Sequence, residues 1–131
     1  MSKVCGIEVT LPDPKDNQAV YDYICRWLLE IQGRESRESC GNKTMCYYRL
    51  PQPNGKTLAC AVGCLAPDED YERWWETRSI GAFADYFNSK GYNLPFLQRM
   101  QEAHDSEYGE LPERLQRPAE AYNLRPYVKA A

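Results

Sequence analysis

Histidine is nearly absent from this chain, and the short motifs that identify common enzymes are missing as well. His104 is the single histidine among 131 residues, so the paired-histidine motifs of metal-dependent hydrolases do not occur. The sequence contains no glycine-rich phosphate loop, no dinucleotide fingerprint and no nucleophile elbow. These absences count against the common enzyme classes and favour a binding role.

Long apolar runs and an excess of positive charge are also missing. No apolar stretch approaches the roughly 20 residues that a membrane-spanning helix needs, and no basic-then-apolar leader opens the chain. The formal net charge of −3 counts against broad, sequence-independent binding of nucleic acid, which requires a basic face. We therefore expect a cytoplasmic protein with no membrane partner.

The six cysteines have to be interpreted for that compartment. In a reducing cytoplasm, thiols are more often buried side chains or metal ligands than disulfides. A closed zinc site of three thiolates and one imidazole is one alternative, and its ligands would be Cys46, Cys60, Cys64 and His104. The gap between Cys60 and Cys64 is wider than in common zinc knuckles. We therefore expect buried thiols and no cofactor.

A cysteine nucleophile is a second alternative. Cys60 or Cys64 would attack, His104 would act as the base, and Asp105 would orient the imidazole. Because His104 and Asp105 are neighbours in sequence, we expect their side chains to diverge on a helix, which disfavours such a relay. Catalytic residues are therefore not assigned.

Hydrophobic periodicity and turn residues predict a single α+β domain over residues 1–131. The segment 1–14 is expected to be extended. A helix capped by Asp16 or Asn17 follows and ends at Gly33. Residues 34–44 are polar and are predicted to form an exposed loop. A β-hairpin over about 45–62 turns at Asn54-Gly55, which would place Cys46 and Cys60 on facing strands.

Two or three helices complete the predicted fold. One is expected from Ser79 to Lys90, and the next is capped by Asn93. The last helix begins at Pro112 and is expected to be kinked or split at Pro118, because proline removes a hydrogen bond and clashes with the preceding turn.

Aromatic side chains are plentiful, with ten tyrosines and three tryptophans. The adjacent Trp74 and Trp75 cannot both face the same core, so we expect one of them at a surface, cleft or subunit contact. Arginines beside an exposed aromatic ring suit a planar anionic ligand. The candidate ligand-binding residues are Tyr47, Tyr48, Arg49, Tyr71, Arg73, Trp74, Arg78 and His104.

Three segments of the chain carry a resemblance. They are Cys46-Tyr-Tyr-Arg49, Cys60-Ala-Val-Gly-Cys-Leu-Ala-Pro-Asp-Glu-Asp-Tyr71, and Leu97-Gln98 followed by His104-Asp105. The chain resembles a largely uncharacterised family of small accessory proteins found in tailed phages and some bacterial genomes. Tyr71, Glu72 and Glu76 fit the family pattern of the next segment, whereas Arg73, Trp74, Trp75 and Thr77 depart from it.

The resemblance implies a gene class and no particular activity. Small phage accessory genes commonly act against host defence, so we expect this chain to sequester a nucleotide-derived signalling molecule without catalysis, in the host cytoplasm. Direct inhibition of a host protein through Trp74-Trp75 is the alternative, followed by a zinc-binding or small nucleotide-modifying enzyme. The surplus aromatic area also predicts a homodimer.

Overall fold

The computed structural model describes residues 2–40 and 43–128. This part of the chain contains four α-helices and three two-stranded antiparallel hairpins, which confirms the α+β prediction. The helices are α1 (Asn17–Arg26), α2 (Ala84–Lys90), α3 (Leu94–Asp105) and α4 (Leu111–Ala121). The strands are β1 (Ser2–Val4), β2 (Ile7–Val9), β3 (Arg37–Cys40), β4 (Lys43–Cys46), β5 (Arg49–Pro51) and β6 (Thr57–Ala59).

The first helix begins and ends where the sequence predicts. The Asp16 carboxylate accepts a hydrogen bond from the backbone N–H of Ala19 at 3.1 Å and so caps α1. The chain continues as a π-helical turn over Trp27–Ile31 and stops at Gly33, whose φ of +79° suits glycine. The apolar residues Val20, Ile24, Trp27 and Leu28 of this segment lie in the core, and Ile31 is exposed.

The hairpin predicted at Asn54-Gly55 is present, with shorter strands than expected. β5 pairs with β6 in the register Arg49↔Ala59 and Pro51↔Thr57. The turn closes with a 2.7 Å bond from the backbone N–H of Gln52 to the carbonyl of Lys56. The ladder therefore spans residues 49–59 instead of 45–62.

The loop predicted over residues 34–44 is wrong. β3 pairs with β4, and Cys46 lies opposite Arg37 instead of facing Cys60. The residues of β3 are mostly polar, so the apolar pattern on which the prediction relied is absent there. A two-stranded ladder still forms, because its backbone hydrogen bonds need few apolar side chains. Gly41-Asn42, which lies outside the described residues, is a dipeptide typical of hairpin turns and was the available signal.

The N-terminal segment, predicted to be extended over residues 1–14, folds back on itself. β1 and β2 form a tight hairpin in which Ser2 lies opposite Val9, while Met1 lies outside the described residues. The Asp68 carboxylate accepts backbone N–H bonds from Cys5 at 2.7 Å and Gly6 at 2.9 Å. This carboxylate therefore holds the turn, at which Cys5 has a positive φ of 52°.

The remaining helices follow the prediction with two differences. Asn93 caps α3 by accepting the N–H of Phe96 at 3.2 Å, as predicted. The segment expected to start at Ser79 opens as a 3₁₀ turn over Ile80–Phe83 before α2 begins. Pro118 does not split α4. It lies in the last turn, where a proline costs one intrahelical bond and leaves most of the helix intact.

The core gathers apolar side chains from α1, the β5–β6 hairpin and all three later helices. Its largest fully buried apolar members are Trp27, Tyr21, Phe87, Phe96, Ile24, Leu28, Leu65, Leu97, Met100 and Leu115. Among residues 2–40 and 43–128, no helix combines the length and apolarity needed to cross a bilayer.

Replacing Gly63 by alanine should destabilise the fold by about 2 kcal/mol or more, since overpacking a close contact typically costs 1–3 kcal/mol. A Cβ at Gly63 would lie 2.6 Å from the carbonyl oxygen of Tyr48 and 3.2 Å from Sγ of Cys60. The control is Gly81→Ala, whose Cβ would meet nothing closer than Oγ of Ser79 at 3.7 Å. Urea denaturation measures both free energies of unfolding, and equal values for the two variants would contradict this packing.

Candidate functional site

Arg49 lies buried and is held by backbone carbonyls. Its Nη1 donates to the carbonyl of Gly63 and its Nη2 to the carbonyl of Ala66, each at 2.6 Å. Nη2 also lies 3.4 Å from Oδ1 of Asp68, and the guanidinium sits 4.9 Å from the ring centre of Tyr71. The donors of Arg49 are therefore engaged inside the protein and are not presented to a phosphate.

Glu76 links this arginine to the segment that carries the two adjacent tryptophans. Its carboxylate accepts the backbone N–H groups of Tyr48 and Arg49, both at 2.9 Å, and the hydroxyl of Tyr71. Burial, and then this hydrogen bond to Glu76, raise the pKa of Tyr71 well above its ordinary value. Glu76 was not among the predicted ligand-binding residues. Its match to the motif of the proteins that the chain resembles could have indicated that it matters.

The two adjacent tryptophans both contact Phe83 but differ in exposure, so that one of them reaches the surface, as expected. Trp75 is 2% exposed and stacks on Phe83 with ring centres 4.4 Å apart and an interplanar angle of 2°. Trp74 is 47% exposed, and the guanidinium of Arg78 lies 5.8 Å from its ring centre. Arg73, in the same short segment, is exposed too. Trp74 therefore offers an open aromatic surface with arginines nearby.

A cleft of about 340 Å³, the Trp74 cleft, opens beside this ring. It is lined by Asp70, Glu72, Trp74, Trp75, Gly81, Ala82, Phe83, Ala84, Asp85 and Tyr86. Its aromatic walls come from the tryptophans, Phe83 and Tyr86, and its lining includes three carboxylates and no cationic side chain. The cleft thus combines stacking surface with hydrogen-bond acceptors.

The three carboxylates of the Trp74 cleft differ in their availability. Asp70 accepts the hydroxyl of Tyr86 at 2.6 Å, and Glu72 accepts the indole N–H of Trp74. Asp85 is exposed and has no hydrogen-bond or ion-pair partner within the described part of the chain. Asp85 is therefore the carboxylate best placed to accept a hydrogen bond from a ligand.

His104 is fully buried, and both of its ring nitrogens have partners. Nε2 accepts the backbone N–H of Ser36 at 2.9 Å, so the ring proton must reside on Nδ1, which lies 2.8 Å from Oδ1 of Asp105. The expectation that His104 and Asp105 diverge is wrong, because the last turn of α3 lets the carboxylate fold back onto the ring. His104 therefore links Ser36 to α3 inside the protein, and neither ring nitrogen is available to a ligand in this structure.

Of the four residues predicted as zinc ligands, Cys46 and His104 come together, without Cys60 and Cys64. Within the described residues, the one group with metal-ligand atoms close together is Cys46, His104 and Asp105, within 4.8 Å of one another. Cys60 and Cys64 lie outside it, since Cys46 belongs to the β3–β4 hairpin. A metal on Nδ1 would force the ring proton onto Nε2, which faces the N–H of Ser36, so this group fits a metal poorly.

Burial raises the pKa of the three thiols considered as zinc ligands or nucleophiles, Cys46, Cys60 and Cys64. Burial, and then the Asp105 carboxylate, raise the pKa of Cys46 to about 12. Burial likewise raises the pKa of Cys60 and Cys64 far above neutrality. Since the thiolate is the reactive form, the geometry lends no support to the predicted nucleophiles.

The predicted ligand residues therefore separate into two groups. Tyr48, Arg49 and His104 are buried, and Tyr47 and Tyr71 are half-buried with hydroxyls bound to Glu38 and Glu76. Arg73, Trp74 and Arg78 are exposed in one segment. The structure thus concentrates the accessible candidates at the Trp74 cleft.

The chain matches no protein-family model, no curated protein and no solved structure.

Replacing Arg49 by lysine should lower the free energy of unfolding by about 2–3 kcal/mol. A lysine ammonium cannot donate to both buried carbonyls with the geometry of the planar guanidinium. The exposed Arg78→Lys change is the matched control and should shift stability by less than about 0.5 kcal/mol. Chemical denaturation followed by circular dichroism compares them. A loss at Arg49 no greater than that at Arg78 would show that the carbonyl contacts contribute little.

Replacing Asp105 by asparagine should speed alkylation of Cys46. Removing the negative charge lowers the pKa of this thiol and raises its thiolate fraction. The rate of iodoacetamide labelling at pH 8, measured by peptide mass spectrometry, reports the change. Cys5, whose pKa burial raises to about 11, is the internal control and should keep its rate. An unchanged Cys46 rate would contradict the influence of Asp105.

Proposed function

We propose that this chain is a non-catalytic binding protein that sequesters a nucleotide-derived signalling molecule in the cytoplasm of a host cell, and thereby counters host defence. The observation that supports it is the exposed Trp74 ring, with the Arg78 guanidinium beside it, at the edge of an open cleft. The role against host defence rests on the resemblance to phage accessory proteins.

The Trp74 cleft, together with Arg73 and Arg78 outside its lining, offers a contact for each part of a nucleotide. A base would stack on Trp74, an interaction worth about 1–3 kcal/mol per base in other proteins. The phosphate would extend out of the acidic cleft toward Arg73 and Arg78, since guanidinium groups bind phosphate oxygens in pairs. Asp85 would accept a ribose hydroxyl or a base amino group. A cleft of about 340 Å³ lies at the small end of ligand sites.

The positions of the potentially reactive side chains Cys60, Cys64 and His104 support binding without catalysis. Cys60 and Cys64 are buried, which raises their pKa values, and His104 has both ring nitrogens engaged. None of the three lines the Trp74 cleft. We therefore expect the bound ligand to be released unchanged when the protein is denatured.

A basic segment of a host protein is the second candidate ligand. The lining of the Trp74 cleft has carboxylates from Asp70, Glu72 and Asp85 and no cation, which favours lysine or arginine side chains. An exposed tryptophan such as Trp74 is a common anchor of protein interfaces. The same exposed ring is available to the predicted homodimer.

Trp74→Ala should weaken nucleotide binding by about tenfold to a hundredfold, which corresponds to the loss of one stacked base. The chain is incubated with a pool of linear and cyclic nucleotides, washed by filtration and denatured by heat, and released ligand is identified by mass spectrometry. Tyr108→Ala removes an aromatic ring that is 81% exposed outside the cleft and should change nothing.

Two further variants separate the two candidate ligands. Nucleotide binding predicts that Arg78→Ala loses about tenfold in affinity while Asp85→Asn loses little. Binding of a basic protein segment predicts instead that Asp85→Asn loses more affinity than Arg78→Ala. Recovery of no intact nucleotide from the folded chain would refute sequestration, and chemically altered nucleotide would refute its non-catalytic character.

A further inference from the structure

A second groove, the α3–α4 groove, runs between the last two helices and has a volume of about 290 Å³. It is lined by Arg99, Glu102, Ala103, Ser106, Arg117 and Pro118. None of these residues lines the Trp74 cleft. Whereas the Trp74 cleft is lined by carboxylates, this groove has a guanidinium contributed by each helix.

Helical spacing brings these side chains together. Arg99, Ala103 and Ser106 lie on one face of α3 and its C-terminal end at the i, i+4, i+7 spacing. Arg117 and Pro118 face them from α4. Ala103 and Pro118 are buried and form an apolar floor, while both arginines are exposed. The two guanidiniums therefore border a groove with an apolar floor, whose lining also includes Glu102 and Ser106.

Most of the donors of these two arginines are available. Arg99 has no hydrogen-bond or ion-pair partner within the described residues, and Arg117 donates one bond, from Nη2 to the carbonyl of Tyr108 at 3.0 Å. The carbonyls at the end of α3, which attract cations, are already held by other arginines. Arg37 donates to the carbonyl of Ser106 at 3.0 Å and Arg114 to the carbonyls of His104 and Ser106.

We infer that the α3–α4 groove is an anion site that binds a phosphate group between Arg99 and Arg117. Two guanidiniums on separate helices can bind different oxygens of one tetrahedral phosphate, whereas a carboxylate is satisfied by a single bidentate arginine. The Ser106 oxygen accepts the N–H of Tyr108 at 3.2 Å, which leaves its own O–H to donate to the anion. The Glu102 carboxylate opposes binding and keeps the affinity low.

This inference is independent of the proposed function, because the two sites share no residue. Loss of phosphate binding at Arg99 or Arg117 would leave nucleotide binding at Trp74 intact, and the converse also holds. The probe is inorganic phosphate, titrated into the full chain while the arginine Nε–H signals are followed by NMR at constant ionic strength.

Saturable shifts of the Arg99 and Arg117 signals with phosphate, and none with acetate, are the expected result. Arg99→Gln and Arg117→Gln should each weaken phosphate binding by about tenfold, the loss of a charge-assisted contact. Glu102→Gln should tighten it several-fold by removing the opposing charge, and Arg73→Gln is the control that should not change it.

Three results would overturn the assignment. They are the absence of saturable shifts, equal shifts with acetate, and undiminished phosphate binding in both arginine variants. Because all the substituted side chains are exposed, circular dichroism should show that each variant keeps the fold.

Discussion

The buried guanidinium of Arg49 is the constraint on which the rest of this structure depends. A charge removed from water is tolerated only when hydrogen bonds and counter-charges surround it. Here the carbonyls of Gly63 and Ala66 and the carboxylate of Asp68 provide them. Asp68 also holds the turn between β1 and β2 through the N–H groups of Cys5 and Gly6. One side chain thus joins the N-terminal hairpin, β5 and the turn that follows β6.

The Trp74 cleft is built outward from this centre. Glu76 binds the backbone at Arg49 and so fixes the segment that contains both tryptophans. Trp75 stacks on Phe83 in the core, and the short 3₁₀ turn over Arg73–Trp75 then directs its neighbour Trp74 to the surface. The position of the exposed ring is therefore a consequence of core packing, which makes the cleft a largely preformed site.

Local signals in the sequence predicted the elements that depend on local chemistry. The caps at Asp16 and Asn93 and the Asn54-Gly55 turn are decided by neighbouring residues, and all three are present. The β3–β4 hairpin was missed because residues 34–44, which include β3 and the start of β4, are mostly polar. The bond from Ser36 to His104 joins residues 68 positions apart, so no local pattern indicates it.

The motifs that carry the resemblance have a structural explanation in this fold. Arg49, Gly63, Asp68 and Tyr71 meet in one hydrogen-bonded and stacked group, so their pattern describes how the chain folds. The exposed Trp74 belongs to the segment that departs from that pattern. The predicted ligand residues therefore include two kinds of side chain. Buried ones, such as Arg49, stabilise the fold, and exposed ones, such as Trp74, can contact a ligand.

The most direct test of the proposed non-catalytic binding at the Trp74 cleft is an NMR measurement on the full chain mixed with a nucleotide recovered from it. We predict intermolecular NOEs between the base protons and the Trp74 indole, together with a phosphorus spectrum of the nucleotide that stays unchanged over a day. NOEs that place the base elsewhere, or new phosphorus signals from a reaction product, would contradict it.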